Sequence, residues 1–147
     1  MTLYLDTSLI VSALTIEPGS KQSQAWFGEQ DPQQFLISEW TATEVSSALG
    51  IKLRTGQLTV VERAAALALF HQLTAASFTV ASVVGTHFRM AAGYLDRYEL
   101  GLRASDALHL AVAADEGAQI CTLDRRMAAA GPALGVPTIL VSSVGVT

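Results

Sequence analysis

Short apolar segments with strand character alternate with helical segments along almost the whole chain. Strands that are separated by helices require a mostly parallel sheet with both faces covered. The alternation therefore predicts a three-layer α/β/α sandwich with a mostly parallel central sheet, as a single domain over residues 1–147. The strands are predicted at Leu3–Leu5, Phe35–Ile37, Phe78–Ala81, Gln119–Thr122 and Pro137–Val141.

Helices are predicted between these strands from capping residues, helix breakers and apolar spacing. The first begins near Thr7 or Ser8, either of which could serve as N-cap, and ends before Pro18. The helix after Ser105 is apolar around almost its whole circumference, so it should be central and buried. The remaining helices are predicted at Lys21–Glu29, Ser38–Arg54, Thr59–Ala76, Val84–Leu100, Ser105–Glu116 and Arg125–Ala130.

Composition excludes several classes of protein. Of the 147 residues, 50% are hydrophobic and 15% are charged, which is incompatible with a disordered chain. No apolar run approaches the length of a membrane span, and the N-terminus lacks the basic region of a secretory signal, so we expect a cytoplasmic protein. Cys121 is the only cysteine, which rules out a disulfide framework and favours a small buried hydrophobe.

The charge balance limits how the chain could contact nucleic acid. A formal net charge of −4 argues against a generally basic binding surface. Contact with RNA or DNA would need bound metal cations or a local cluster of arginines. Arg103, Arg125 and Arg126 lie close in sequence to acidic residues, although each could equally be a solvated surface charge.

Two aspartates directly follow predicted strands. Asp6 comes after Leu3–Leu5, and Asp124 comes after the strand that contains Cys121. In an open α/β sheet, ligands bind beyond the carboxyl ends of the strands, so these two side chains are candidate ligands of a functional site. Either one could instead cap the helix that follows it.

Two further acids come from predicted helices. Glu44 has Trp40 four residues before it and Ala48 four residues after it, so it lies within the apolar stripe and needs a partner such as a metal ion. Asp106 opens the apolar helix, where the helix dipole alone could also justify an acid. Asp115 is rotated by about 180° from Asp106 and should not share its site.

The three histidines show no metal-ligand spacing. His109 lies one turn beyond Asp106, within reach of its carboxylate, and could orient that acid. A core histidine with satisfied hydrogen bonds is the alternative for His109. His71 and His87 are isolated on long helices, and we interpret both as structural.

Asp6, Glu44, Asp106 and Asp124 are thus expected to gather at one end of the sheet. Their mutual repulsion would require cations, and hard oxygen ligands without cysteine select Mg²⁺ or Mn²⁺ over Zn²⁺. One or two such ions can activate a water and stabilise a phosphoryl oxygen, which is the route that nucleases and phosphatases use.

At these residues the chain resembles PIN-domain proteins, and in particular the VapC toxins of toxin–antitoxin pairs. The resemblance covers almost the whole chain, and its most specific segment is the stretch SDALHLA that begins at Ser105. The other matching features are the opening LDTS, which contains Asp6, the helical Glu44, and TLD, which ends at Asp124.

The resemblance implies a Mg²⁺- or Mn²⁺-dependent endoribonuclease in which the four acids hold the metal and Thr7 or Ser8 assists near Asp6. It also implies a VapB-type antitoxin that obstructs the metal site, and a homodimer of the toxin. Some relatives carry another acid after the fourth, where this chain has Arg125 and Arg126, so one or two metals remain possible.

Other readings of the acids are less consistent with the sequence. No GxGxxG, P-loop or GxSxG motif is present, and Ser8 occupies the place where a haloacid-dehalogenase-type phosphatase needs a second aspartate. A receiver domain needs a late lysine, yet the last lysine is Lys52. The remaining alternative is a PIN-like RNA- or protein-binding module with a structural metal and little catalysis.

The apolar content also suggests partners. Trp26, Phe27 and Trp40 have no evident partners in the sequence pattern, and half of all residues are hydrophobic. This is more apolar surface than a small monomer usually hides, so we expect a homodimer that also binds an antitoxin.

Overall fold

Five parallel strands form the sheet, in the spatial order β3-β2-β1-β4-β5. The computed structural model describes residues 1–141, so the predicted domain end at residue 147 lies outside the described residues. The all-parallel pairing confirms the predicted sheet. The strands are β1 (Leu3–Leu5), β2 (Phe35–Ser38), β3 (Thr79–Ala81), β4 (Gln119–Thr122) and β5 (Thr138–Leu140).

Helices connect the strands and cover both faces of the sheet. Two 3₁₀ turns, Pro32–Gln34 and Tyr98–Leu100, lie between them. The helices are α1 (Thr7–Leu14), α2 (Ser20–Gly28), α3 (Glu39–Arg54), α4 (Val60–Ala76), α5 (Gly85–Asp96), α6 (Ala104–Asp115) and α7 (Arg125–Ala133).

The side chains of the central strand alternate between two cores, as the pleat of a strand requires. Leu3 and Leu5 belong to a core that contains side chains of α1, α3 and α4. Tyr4 belongs to the opposite core, with side chains of α6 and α7. The two cores on either side of one sheet confirm the predicted three-layer α/β/α sandwich.

The apolar helix α6 is buried, as predicted. Every residue from 107 to 113 is buried, and α5 packs along it. Cys121 is a free thiol with 0% exposure, which confirms its interpretation as a small core residue. Within residues 1–141, the helices are all too short or too polar to cross a membrane.

Some predicted boundaries are wrong. The last helix, α7, continues to Ala133 and does not end at Ala130. The segment Val84–Leu100 is not one helix, because α5 ends at Asp96 and Arg97 has a non-helical ψ of 72°. At this break the Arg97 guanidinium donates to the carbonyl oxygen of Ala133 at 2.9 Å. At the start of the chain, the N-cap of α1 is Asp6, whereas Thr7 is already helical.

The aromatic side chains that suggested a homodimer have partners within the chain. The ring centroids of Trp26 and Phe27 lie 6.3 Å and 5.4 Å from that of Phe35, and the three rings form one cluster. Trp40 packs against the core between α5 and α6. These residues therefore give no reason of their own to expect a dimer.

Candidate metal centre

Asp6 lies where β1 leaves the sheet, and it is buried with only 5% exposure. Its Oδ2 atom accepts hydrogen bonds from Ser8 Oγ and from Thr122 Oγ1, both at 2.7 Å. Because β1 is the central strand, the carboxylate is held beside the carboxyl end of neighbouring β4. The structure thus fixes one oxygen of this acid with two hydroxyl donors.

Asp124 lies at the end of β4 and caps α7. Its Oδ1 atom accepts from the backbone N–H groups of Arg126 at 2.8 Å and Met127 at 3.3 Å. Its own N–H donates to Thr122 Oγ1 at 2.9 Å. The capping role is therefore real, and Thr122 connects Asp124 to Asp6 through a single hydroxyl.

Glu44 projects from α3 and is half-buried. Its Oε1 atom accepts from Thr7 Oγ1 at 2.7 Å and forms a short hydrogen bond with His109 Nε2. Of the two possibilities for His109, a buried core histidine with satisfied hydrogen bonds is confirmed by its 1% exposure and its bonds to Glu44 and Tyr4. The other possibility, that His109 orients Asp106, is wrong because the ring is turned away toward those two partners.

The pKa of Glu44 is lowered although burial works against its ionisation. Burial is the largest single influence and raises the pKa. The hydrogen bond and charge of His109 lower it, and hydrogen bonds from Thr7 and Ser105 lower it further, so that these together outweigh burial. Glu44 is therefore held as a carboxylate.

Asp106 lies in the first turn of α6 and is half-buried. Burial is the main reason that the pKa of its carboxyl group rises to about 6. The nearby charges of Asp6, Asp124 and Glu44 raise this pKa further, whereas His109 lowers it. The four predicted acids therefore lie close enough to influence one another electrostatically.

Three of these acids share one feature. Each has one oxygen that accepts two hydrogen bonds from the protein: Oδ2 of Asp6, Oε1 of Glu44 and Oδ1 of Asp124. This arrangement orients each carboxylate and presents its second oxygen as a candidate ligand, as outer-shell donors do in metal sites. The all-oxygen donor set and the crowded negative charge fit a hard divalent cation.

The present side-chain positions do not form a complete metal site. Among residues 1–141, no three His, Cys, Asp or Glu side chains stand in an arrangement that could hold a metal ion. Binding would therefore require at least one of the four carboxylates to rotate toward the others.

Asp115 and His87 lie at the opposite end of α6 from this cluster. The His87 ring is 3% exposed, and its Nε2 atom lies 2.8 Å from Asp115 Oδ2. Its Nδ1 atom accepts from the N–H of Val84 at 3.0 Å, which closes the start of α5. The structural interpretation of His87 is consistent with these bonds, and Asp115 is separate from Asp106 as predicted.

Sequence reasoning missed two residues that shape the cluster. Tyr4 is completely buried, and its hydroxyl lies 2.6 Å from His109 Nδ1 and 2.8 Å from Ser38 Oγ. A tyrosine between two core leucines was the available signal, since a buried phenol needs a polar partner. Thr122 was noticed only as part of a motif, although its hydroxyl contacts both Asp6 and Asp124.

The structure is an α/β protein with an all-parallel sheet, a buried carboxylate at the end of its central strand and a half-buried one at the end of the neighbouring strand β4. Residues 3–131 match the sequence model of the PIN domain. The chain therefore belongs to the PIN-domain family. No curated protein matches the sequence.

Solved structures share this fold at low sequence identity. VapC20 of Mycobacterium tuberculosis, a toxin that cleaves the sarcin–ricin loop, is 19% identical, with a TM-score of 0.72 over 88% of this chain and 95% of its own. FitAB bound to the IR36 DNA fragment is 16% identical, with a TM-score of 0.72 over 94% of both chains. A toxin–antitoxin complex from Klebsiella pneumoniae is 15% identical, with a TM-score of 0.64 over 98% of this chain and 100% of its own.

Proposed function

We propose that this chain is a metal-dependent endoribonuclease that acts as the toxin of a toxin–antitoxin pair. The observation that carries the proposal is the partial burial of Asp106 beside three other carboxylates, an environment that raises its pKa. A half-buried acid in that position weakens the fold unless a cation compensates for it. Membership of the PIN family and the toxin function of VapC20 support the same activity.

In this proposal Asp6, Glu44, Asp106 and Asp124 hold one or two Mg²⁺ or Mn²⁺ ions. When bound, such an ion supplies Lewis-acid stabilisation of a phosphoryl oxygen and lowers the pKa of a coordinated water. The chain orients the ligands: Ser8 and Thr122 fix Asp6, whereas Thr7 and His109 fix Glu44. The resemblance implies that Thr7 or Ser8 assists near Asp6, and of these two hydroxyls only that of Ser8 donates a hydrogen bond to the Asp6 carboxylate.

The proposed RNA substrate also needs cationic side chains, because the chain is acidic overall. Arg103 directly precedes α6, which carries Asp106, and Arg125 directly follows Asp124. Both arginines are exposed. We assign them to contacts with RNA phosphates near the acids, where they offset the negative charge.

The proposed partners are an antitoxin of the VapB kind and a second copy of the chain. Several proteins with this fold were solved in toxin–antitoxin assemblies, including the Klebsiella pneumoniae complex and VapBC2 of Rickettsia felis. Copurification of the chain with the product of the adjacent reading frame, followed by light scattering, tests both partners together.

The test of activity compares two aspartates on one helix. Asp106→Asn should abolish RNA cleavage in Mn²⁺ or Mg²⁺, because an amide cannot replace a charged ligand of a hard cation. Asp115→Asn is the matched control: it removes the same charge at the other end of α6 and keeps an oxygen to bond His87. The measurement is single-turnover cleavage of one RNA with the metal and with EDTA.

Each outcome distinguishes a different interpretation. Full cleavage in EDTA would exclude the metal mechanism. Equal loss of activity in both variants would show that the four-acid site is wrong. Tight RNA binding by the wild type with no cleavage under any metal would favour the alternative, a binding module with a structural metal.

A further inference from the structure

A buried chain of hydrogen bonds leads from the core to Glu44. Ser38 Oγ lies 2.8 Å from the Tyr4 hydroxyl, which lies 2.6 Å from His109 Nδ1. The other ring nitrogen of His109 is bonded to Glu44 Oε1. Ser38, Tyr4 and His109 are each no more than 1% exposed, so water cannot substitute for any member of the chain.

The last acceptor fixes the direction of the final bond. A carboxylate can only accept a hydrogen bond, so His109 Nε2 is the donor to Glu44 Oε1. The Tyr4 hydroxyl lies 2.6 Å from Nδ1 and can either donate to this nitrogen or accept from it, so it holds the ring in the same orientation in both cases. The Ser38 hydroxyl bonds the phenol oxygen, and every member of the chain has a partner.

We propose that Tyr4 is a positioning residue for Glu44: its hydroxyl holds the His109 ring so that Nε2 donates to Oε1, and this bond turns the second carboxylate oxygen toward the other acids. This inference rests on the proposed function, because it assigns Glu44 as a metal ligand. Tyr4 and His109 act through Glu44 and do not touch the metal or the RNA.

The hydroxyl of Tyr4 is not needed to fill space. The ring lies against core side chains of α6 and α7, where a phenylalanine would pack equally well. Burying a hydroxyl is unfavourable unless it is hydrogen-bonded, so a tyrosine here is explained by the bonds that it makes. Those bonds lead to the candidate metal site, whereas the remainder of the β1 side chains face purely apolar surroundings.

The experiment uses the full chain free of any antitoxin, with histidine labelled with ¹⁵N. In the wild type, the Nε2–H of His109 should be resolved and protected from exchange with water, assigned by comparison with His109→Gln. Tyr4→Phe should shift the Nδ1 resonance and weaken the protection of the Nε2–H. Its Mn²⁺ affinity, measured by calorimetry, should fall about tenfold, as is typical when an outer-shell partner of a metal ligand is lost.

Two further variants separate positioning from general destabilisation. Ser12→Ala removes a buried hydroxyl that bonds Ser23 at 2.9 Å and contacts none of the acids, so it should leave the His109 resonances and Mn²⁺ affinity unchanged. His109→Gln can donate from its amide to Glu44 and has no ring for the Tyr4 hydroxyl to orient. In that background, Tyr4→Phe should change the affinity by less than roughly threefold.

The results discriminate between this inference and the proposed function. If the wild type binds Mn²⁺ and Tyr4→Phe leaves both the affinity and the His109 resonances unchanged, the inference is overturned and the proposed function stands. A wild-type His109 without a proton on Nε2 also overturns it. If the wild type binds no Mn²⁺, the proposed function fails and the inference fails with it.

Discussion

Replacement of Asp106 by asparagine should stabilise the metal-free protein near neutral pH. The carboxyl group is half-buried, and Asp6, Asp124 and Glu44 surround it with like charge. Ionisation of Asp106 is therefore unfavourable in the folded state and ordinary in the unfolded chain. An amide of the same shape removes the charge and keeps the packing, so the metal-free variant should resist unfolding better than the wild type.

The size of the effect follows from the pKa shift. The pKa of Asp106 rises from an ordinary value of 3.8 to about 6. At about 1.36 kcal/mol per unit, the full shift corresponds to about 3 kcal/mol. Because the carboxyl group is partly exposed, solvent screening reduces the expected gain to about 1–2 kcal/mol, or a few degrees in Tm for a chain of this length.

The pH dependence has a definite sign. Below the unfolded pKa of 3.8 the carboxyl is protonated in both states, so the wild type carries no penalty there. The penalty grows as the pH rises toward 6 and is fully present above it. The stability gap between Asp106→Asn and the wild type should therefore open as the pH rises through this window and stay constant above it.

The assay is urea denaturation in EDTA across this pH range, followed by thermal melts with Mn²⁺. Added Mn²⁺ should stabilise the wild type and leave the variant unchanged, which reverses their order. Asp115→Asn should not raise the free energy of unfolding by this amount near pH 8. The electrostatic reasoning is refuted if Asp106→Asn is no more stable than the wild type in EDTA near pH 8. It is also refuted if the difference in stability between the two proteins persists below pH 3.8.

Three further predictions concern other parts of the molecule. Thr122→Val removes the hydroxyl that bonds Asp6, so the free energy of unfolding should fall by about 1–3 kcal/mol and Mn²⁺ affinity should weaken. Gly131→Ala places a Cβ atom 2.8 Å from a backbone carbonyl and against a neighbouring side chain, which should cost about 1–3 kcal/mol in chemical denaturation. Arg103→Glu and Arg125→Glu should each weaken RNA binding and reduce its salt dependence in filter-binding titrations.

Matched controls accompany these three changes. Thr138→Val loses one hydroxyl bond, to Ala128, away from the acids and should leave Mn²⁺ affinity intact. Gly28→Ala adds a Cβ atom to open space at the end of α2 and should be neutral. Arg89→Glu changes an exposed charge on α5 and should not alter RNA binding. If a control variant changes the measured property as much as its test variant does, the explanation given for that test variant is wrong.

The fold could be predicted from the sequence because the signals were local and repeated. The capping box at Thr59 and Glu62 forms in the structure, and α6 is buried as its uniform apolarity requires. The break after Asp96 could not be predicted from local signals, and Arg97 bonds there to Ala133, which is far away in sequence. Local patterns do not contain contacts of that kind.

The candidate site also combines features that the sequence predicts with features that it does not. Strand ends and helical spacing were enough to predict that Asp6, Glu44, Asp106 and Asp124 lie close enough to influence one another electrostatically. The donors that orient these acids were not predictable in the same way. Asp106 was one possible partner of His109 on the same helix, yet the His109 ring bonds Glu44 on α3, because tertiary packing decides which of several reachable carboxylates a histidine contacts.

The position of the acids also explains why metal binding and folding should be linked in this chain. Asp6 is buried at a strand end, and Asp106 is held beside it by the packing of α6 against the sheet. The apolar cores fix these elements whether or not a cation is present, so the folded chain cannot relieve the repulsion by moving them apart. A cation that binds the folded state and not the unfolded chain must therefore raise the stability, and removal of any of the four charges should diminish that gain.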